Sequence, residues 1–170
     1  VQKHHIAKLP YFIKGTKRTN KKFVVEDSIE GWSDAVGVLI SSYFEQEELF
    51  PEYTGKSVQF DFSKIRPAGS YLSSSASKAP CPEPLKKALT NIRKILEKAI
   101  KNADFCSQEL RKLNPIEAYD IIMHAADAVI SGGVRRSATI CLFSPDDEDM
   151  AKAKTGNWFH ENPQRGRSNN

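Results

Sequence analysis

Two adjacent arginines stand between a pair of glycines and a run of apolar residues, in a segment formed by Gly132, Gly133, Val134, Arg135, Arg136 and Ser137. Glycine takes backbone angles that other residues avoid, so the chain can turn sharply here and direct amide groups toward a ligand. A guanidinium group suits a phosphate or the edge of a nucleobase. Because two arginines cannot both be buried without partners, the pattern leaves two interpretations: an anion-binding loop, or one arginine paired with a carboxylate and the other solvated.

Other residues with chemical potential have simpler interpretations. The acidic run at residues 146–149 resembles a set of metal ligands, but acidic side chains are also favoured in the first turn of a helix. We therefore interpret it as a helix start and predict no metal site. His4 and His5 are adjacent, which does not place both on one helical face, and we expect them in a surface loop. For the aromatic run at residues 158–160, core packing or loop cover is preferred over stacking on a base.

The composition is typical of one globular unit with a sizeable core, with 39% hydrophobic and 27% charged residues among 170. No apolar run could cross a bilayer and no signal-peptide pattern is present, so we expect a cytoplasmic protein without a membrane partner. The net charge of +4 allows an anionic partner without requiring one, and the basic segments 14–22 and 164–170 are interpreted as solvated surface. Cys81, Cys106 and Cys141 lack the spacing of a zinc site or disulfide framework, so reduced thiols are expected.

These residues must be positioned by strands that alternate with helices, which indicates an α/β fold. Residues 23–25 are a strand candidate, and Asp27 with Glu30 three residues later has the form of a helix start. Apolar residues then recur at helical spacing, at Ile29, Trp32, Ala35, Val36, Leu39, Ile40, Tyr43 and Phe44. The alternation in residues 57–62 predicts a strand and completes one β-α-β unit.

Two more helices are predicted beyond a loop rich in Ser, Gly and Pro at residues 64–84. The second helix should bury Leu85, Ala88, Leu89, Ile92, Leu96 and Ala99, leaving a basic exposed face. Asn114 should cap the third, with Pro115 at its first position. Its buried stripe is predicted at Ile116, Tyr119, Met123, Ala126 and Ile130.

The last part of the chain is expected to contain one strand and one short helix. Residues 137–143 have little polar alternation, which predicts a strand covered on both faces, with Cys141 inside it. A short helix should open at Ser144 and Pro145. The chain is then expected to stop in a polar loop, with no terminal helix or strand to hold it.

Several segments together resemble the catalytic chain of the ribonucleotide reductases. They are SGGVRRSATICLFSPDDEDM with the later RSNN, DSIEGWSDAVGVLI, and FDFSKIRPAGS. The combination is most similar to the adenosylcobalamin-dependent, class II branch, in particular the monomeric ribonucleoside-triphosphate reductases, and it covers nearly the whole chain. The resemblance implies that residues 1–170 are a piece, truncated at both ends, of the amino-terminal half of a ten-stranded α/β barrel.

The resemblance also implies an activity and its partners. The parent enzyme would reduce ribonucleoside triphosphates or diphosphates to deoxyribonucleotides by radical chemistry, with adenosylcobalamin as cofactor and thioredoxin or a dithiol as reductant. A ribonucleotide substrate and a deoxynucleotide effector would be its ligands, without direct contact to nucleic acid. The radical cysteine and the redox cysteines of the family would lie outside these residues. No catalytic residue is therefore assigned, and the isolated chain is expected to be inactive.

By the same resemblance, the chain would carry both loops of the allosteric specificity site. Residues 64–77 match the first loop. Residues 132–137 match the second, which lies between effector and substrate base, so that Arg135 and Arg136 would couple effector identity to substrate choice. The serine run at residues 73–77 is less glycine-rich than the family pattern.

The effector itself would be held by residues at the start of the first helix and in the first loop. Asp27, with its neighbour Ser28, matches an acidic position that holds the effector ribose. Arg66 matches an arginine near the effector phosphates. The alternatives are that Asp27 caps the helix and that Arg66 is a surface residue.

Two other functional classes stay open. One is the large subunit of a class I-type ribonucleotide reductase. The other is a basic module that binds phosphate or nucleic acid, which would explain the basic ends of the chain. The charge is divided between distant loops, however, and lacks the interleaved aromatic residues of a stacking platform.

Overall fold

The computed structural model describes residues 8–13, 19–45, 49–72, 75–78, 81–104, 112–130 and 139–169. Its strands are β1 (Asn20–Val24), β2 (Ser57–Asp61), β3 (Tyr71–Leu72), β4 (Ser75–Lys78), β5 (Thr139–Ile140) and β6 (Ser168–Asn169). Its α-helices are α1 (Ile29–Ser41), α2 (Glu83–Asp104), α3 (Pro115–Ile130), α4 (Glu148–Ala151) and α5 (Trp158–Glu161). Two 3₁₀ turns cover Pro51–Tyr53 and Pro163–Arg167. The chain combines helices with two parallel strand pairs, so the predicted α/β class is confirmed.

The predicted β-α-β unit is present. Strands β1 and β2 are parallel and pair from Asn20 with Ser57 to Val24 with Asp61, with α1 connecting them. The helix begins one residue later than the sequence suggested, because its N-cap is Ser28 and not Asp27. The Ser28 hydroxyl accepts a hydrogen bond from the Gly31 amide at 2.9 Å. The Asp27 carboxylate is thereby left for another partner.

The main core lies between α1 and α2. All six residues predicted for the buried stripe of α2 are buried. On α1 the prediction is only partly right, since Ala35 and Leu39 are fully buried whereas Ile29 is 58% exposed. Val38, absent from the predicted stripe, is fully buried because it packs in a smaller cluster with Tyr53 and Val58.

Helix α3 begins at the predicted cap and packs on two sides. The Asn114 side chain accepts a hydrogen bond from the Glu117 amide at 2.9 Å, and the Glu117 carboxylate accepts one from the Asn114 amide at 3.1 Å. These two bonds form a capping box, with Pro115 as the first helical residue. Beyond it, Ile121 joins the main core, while Tyr119 and Met123 form a second cluster with Met150 and Ala153. Of the predicted stripe, Ile116 and Ala126 are only partly buried, and the Ile130 side chain lies outside the description.

Three predictions about the strands are corrected. The loop predicted at residues 64–84 contains the antiparallel pair β3–β4. The strand predicted at residues 137–143 spans only Thr139–Ile140 among the described residues, and within residues 1–170 it is not covered on both faces, since Ile140 is 71% and Leu142 is 78% exposed. The end of the chain is not a plain polar loop, because β6 pairs in parallel with β5.

Two short helices follow β5. Helix α4 is N-capped by Asp147, whose Oδ1 accepts a hydrogen bond from the Met150 amide at 3.1 Å. The acidic run is thus a helix start, as predicted, but the helix begins at Glu148 and not at Ser144 and Pro145. Helix α5 holds the aromatic run, with Trp158 partly buried and Phe159 exposed. No helix among the described residues is long and apolar enough to span a membrane.

Candidate functional site

The carboxyl ends of β1 and β2 lie at one edge because the two strands are parallel. This edge is where open α/β sheets commonly bind ligands. The chain leaving β1 carries Glu26, Asp27 and Ser28, and the chain leaving β2 carries Lys64 and Arg66. All three residues predicted to contact an effector, Asp27, Ser28 and Arg66, therefore lie at this edge.

Asp27 and Arg66 are directly paired. The Arg66 Nε donates to Asp27 Oδ2, joining residues 39 apart in sequence. The exposed fractions are 29% for the Asp27 side chain and 35% for Arg66. Both groups are therefore ordered by a partner and still reachable from solvent. The alternative that Asp27 serves as the helix cap is wrong, and Arg66 is not a plain surface residue.

Ser28 has a structural task in addition to the predicted one. Its hydroxyl oxygen accepts from the Gly31 amide and so caps α1. A hydroxyl keeps one proton to donate while it accepts. Ser28 is exposed, so this proton is available to an acceptor at the same edge.

Two further ion pairs join the β1 side to the β2 side, one between the chains that leave the strands and one between the strands themselves. Lys64 pairs with Glu26, and both side chains are more than half exposed. Lys22 Nζ lies 2.7 Å from Asp61 Oδ2. The hydrogen bond from Lys22, assisted by the Ser63 amide, lowers the pKa of Asp61 to about 2. The edge is thus balanced in charge, and an anion that binds Arg66 must compete with a carboxylate.

The backbone at this edge is closely packed. A Cβ atom built on Gly31 would lie 2.4 Å from the carbonyl oxygen of Glu26. The first turn of α1 therefore rests against the chain that leaves β1, and only glycine fits without a shift of the backbone. This contact holds Asp27 and Ser28 in place between the strand and the helix.

In sequence, the second predicted loop falls between α3 and β5. Residues 132–137, including Arg135 and Arg136, lie outside the described residues, as do His4, His5 and Cys106. The flanking elements are described: α3 ends at Ile130 and β5 begins at Thr139.

A second polar cluster near β5 and β6 was missed by the sequence analysis. The guanidinium of Arg165 binds both oxygens of Asp120, with Nε 2.7 Å from Oδ1 and Nη2 2.6 Å from Oδ2. Its Nη1 donates to the Ala153 carbonyl at 2.8 Å. The side chains are only 13% and 12% exposed, so for Arg165 the interpretation of residues 164–170 as solvated surface is wrong. The available signal was Asp120, an acidic residue within the apolar stretch of α3.

Tyr119 extends this cluster to the last strand. Its hydroxyl lies 2.6 Å from Ser168 Oγ and 3.3 Å from the Arg165 carbonyl oxygen. Burial is the main reason that the pKa of Tyr119 is raised, and the Ser168 bond opposes that effect. Lys154 donates to the Ser168 carbonyl. Tyr119, Asp120, Arg165 and Ser168 therefore form one connected group.

The thiols and the possible metal ligands offer no catalytic arrangement within the described ranges. Cys81 and Cys141 are free and partly buried, and burial raises the pKa of Cys141. A raised pKa disfavours the reactive thiolate. No group of three His, Cys, Asp or Glu side chains among the described residues could hold a metal ion.

Comparison with curated proteins gives a consistent set of relatives. The chain is 32% identical over 121 residues to a putative adenosylcobalamin-dependent ribonucleoside-triphosphate reductase of Mycobacterium phage D29, covering 71% of this chain and 17% of the relative. It is 33% identical over 128 residues to the adenosylcobalamin-dependent ribonucleoside-triphosphate reductase of Lactobacillus delbrueckii subsp. bulgaricus, covering 75% and 16%. A probable enzyme of the same name from Dictyostelium discoideum is 29% identical over 143 residues, covering 84% and 16%.

The fold agrees with the sequence comparison. A crystal structure of a B12-dependent (class II) ribonucleotide reductase superposes with a TM-score of 0.69 at 26% identity, covering 89% of this chain and 19% of that one. No family model matches the chain. The chain spans about a sixth of the length of the curated relatives it matches.

Proposed function

We propose, because this chain belongs to the adenosylcobalamin-dependent ribonucleotide reductases, that the whole protein reduces ribonucleoside triphosphates to deoxyribonucleotides. The support is the agreement between the names of the sequence relatives and the structural neighbour. A ribonucleotide is then the substrate, and a thioredoxin-like protein or a dithiol supplies the reducing electrons. The two parallel strand pairs and their helices form part of a ten-stranded α/β barrel in this proposal.

Adenosylcobalamin would be the cofactor of the whole protein, where it supplies the radical that starts the reaction. The open depression beside β5 is lined by Ile140, Cys141, Leu142, Phe143 and Asn169. Its lining is mainly apolar, and Cys141 has a raised pKa. Neither feature identifies a corrinoid site, so we assign none of these residues to the cofactor.

The proposed task of this segment is to bind a deoxynucleotide effector and to relay its identity to the substrate site. The observation that carries it is the Asp27–Arg66 pair at the carboxyl edge of β1 and β2. A carboxylate that accepts from a ribose hydroxyl and a guanidinium that binds phosphate are the two groups that a nucleotide needs. Ser28 can donate its proton to the same ligand.

The relay would run through residues 132–137. In this proposal Arg135 and Arg136 lie between effector and substrate base, and the flanking glycines allow the segment more than one arrangement. Coupling between two ligand sites of this kind is typically 1–3 kcal/mol, or about 5- to 150-fold in affinity.

The test is equilibrium binding of each deoxynucleoside triphosphate to the full-length protein. Arg66→Ala should weaken binding at least about tenfold, since a lost hydrogen bond to a charged group costs about 1.5–3 kcal/mol. The matched control is Lys64→Ala, which removes a more exposed cation two residues away. Equal affinities in the unaltered protein and in Arg66→Ala would remove the effector site from this edge.

A further inference from the structure

We propose that Tyr119, Asp120, Arg165 and Ser168 are positioning residues that set substrate choice by fixing helix α3 relative to β5. The inference rests on the proposed function, since it assumes that the segment between α3 and β5 carries the specificity relay. It adds to that function a set of residues remote in sequence from the relay and from the Asp27–Arg66 edge.

The Asp120–Arg165 pair fixes a geometry as well as a distance. Both carboxylate oxygens are bound by the guanidinium, at 2.7 and 2.6 Å, and Nη1 donates a third bond to the Ala153 carbonyl. A planar fork bound at two points permits little rotation between its partners. Helix α3 and the 3₁₀ turn Pro163–Arg167 are therefore held in one relative orientation.

Ser168 links the helix to the first residue of β5. Its hydroxyl lies 2.6 Å from the Tyr119 hydroxyl, and its backbone pairs with Thr139 in the parallel β5–β6 ladder. The next ladder bond, from the Cys141 amide to the Asn169 carbonyl, is 2.9 Å long. The start of β5 is thus connected to α3 through one residue, Ser168.

These bonds constrain the residues that connect α3 to β5. Helix α3 ends at Ile130 and β5 begins at Thr139, so residues 131–138 join a helix and a strand that these bonds hold together. A change in the separation or angle of that helix and strand changes which arrangements the connecting residues can adopt. The four positioning residues act on substrate choice through this constraint.

The Asp120–Arg165 pair contributes a fixed geometry more than it contributes stability. A buried ion pair contributes little net stability compared with well-packed apolar side chains, because both charges lose their hydration. What the pair adds is a specific arrangement, since lysine in place of Arg165 keeps the charge and cannot bind both oxygens in the same plane.

The experiment uses Tyr119→Phe and Arg165→Lys in the full-length protein. The measurement is the ratio of reduction rates for competing ribonucleoside triphosphates, with and without each deoxynucleotide. We expect the effector-induced change in this ratio to fall at least about fivefold, the lower bound of typical coupling. The effector-free rate and the affinity for the effector should change less than about twofold, whereas a general loss of folding would lower them all.

The matched control is Arg167→Lys. Arg167 Nε lies 2.8 Å from Asp127 Oδ1 and joins the same two elements through a more exposed pair. It should leave the effector response unchanged, because an exposed pair constrains little. If Arg165→Lys does not fold, Tyr119→Phe decides, since it removes one oxygen and leaves the ion pair intact.

A parallel variant separates this inference from the proposed function. Arg135→Ala alters the relay segment itself. If Arg135→Ala responds to every effector like the unaltered protein, the relay role fails. If Arg135→Ala loses the response while folded Tyr119→Phe and Arg165→Lys keep it in full, the positioning role is overturned and the relay stands.

Discussion

Asp27 and Arg66 bind one another across the gap between the chains that leave β1 and β2. The two residues proposed to hold the ribose and the phosphates of one nucleotide are therefore each other's partners. An incoming phosphate must share Arg66 with Asp27 or displace it. The affinity of this edge for phosphate is then set partly by the strength of the pair.

Asp27→Asn should separate the two contacts. Removing the carboxylate charge removes its competition for Arg66, so the full-length protein should bind inorganic tripolyphosphate about 1.5- to 5-fold more tightly, since partly exposed pairs contribute about 0.2–1 kcal/mol. A deoxynucleoside without phosphates should bind more weakly, because the charged acceptor for its hydroxyl is lost. Isothermal titration of both ligands gives the two affinities. Weaker tripolyphosphate binding by Asp27→Asn would contradict the competition.

Gly31→Ala should destabilise the first turn of α1. Its Cβ would lie 2.4 Å from the Glu26 carbonyl oxygen, a backbone atom that can move only with the chain. Overpacking of this kind costs about 1–3 kcal/mol. The control is Gly166→Ala, where no neighbouring atom lies within 4 Å of the added carbon. Urea denaturation of both variants should show a loss of stability at position 31 only.

The capping box of α3 gives a second stability test. Asn114→Ala removes the bond to the Glu117 amide and should cost about 1 kcal/mol. Glu117→Ala removes the reciprocal bond to the Asn114 amide, and the double variant should cost less than the sum because the two bonds support each other. Additive losses in urea denaturation would show that the two bonds act independently.

The elements that could be predicted are those with local signals. The stripe of α2 follows from helical spacing alone, and Asn114 with Pro115 marks the start of α3 without reference to the rest of the fold. The β1–α1–β2 unit was equally readable. Its cap was misplaced by one residue because Asp27 and Ser28 are both good capping residues, and their order depends on the tertiary partner Arg66.

The parts that could not be predicted depend on contacts between distant residues. Strand β6 has no apolar alternation, and it exists because its backbone meets β5. In the sequence, Arg165 is one of several basic residues in a polar segment. Only the fold places it beside Asp120, which lies 45 residues earlier in the chain. The sequence predicts that Asp27 and Arg66 contact the same ligand. It does not predict that the two side chains form an ion pair with each other.

The pKa of Asp61 provides a test of the charge balance at the edge of β1 and β2. The Lys22 hydrogen bond is the main reason that it lies near 2 instead of its ordinary value. A lowered carboxylate pKa adds stability above the unfolded-state value, about 3.9, and that stability is lost as the pH falls through about 2. In Lys22→Ala the carboxyl ¹³C signal of Asp61 should titrate at a higher pH. An unchanged midpoint would assign the shift to the Ser63 amide.

Cys141 tests the corrected view of β5. A strand covered on both faces would protect this thiol almost completely, whereas the structure leaves it partly buried between the exposed side chains of Ile140 and Leu142. Burial raises its pKa, and alkylation proceeds through the thiolate. Iodoacetamide at pH 8 should therefore label Cys141 in the folded full-length protein measurably, but more slowly than in urea. The labelled peptide is identified by mass spectrometry, because it is missing from Cys141→Ser. Equal rates in the folded and unfolded protein would show that the thiol is not partly buried, and complete protection would restore the strand covered on both faces.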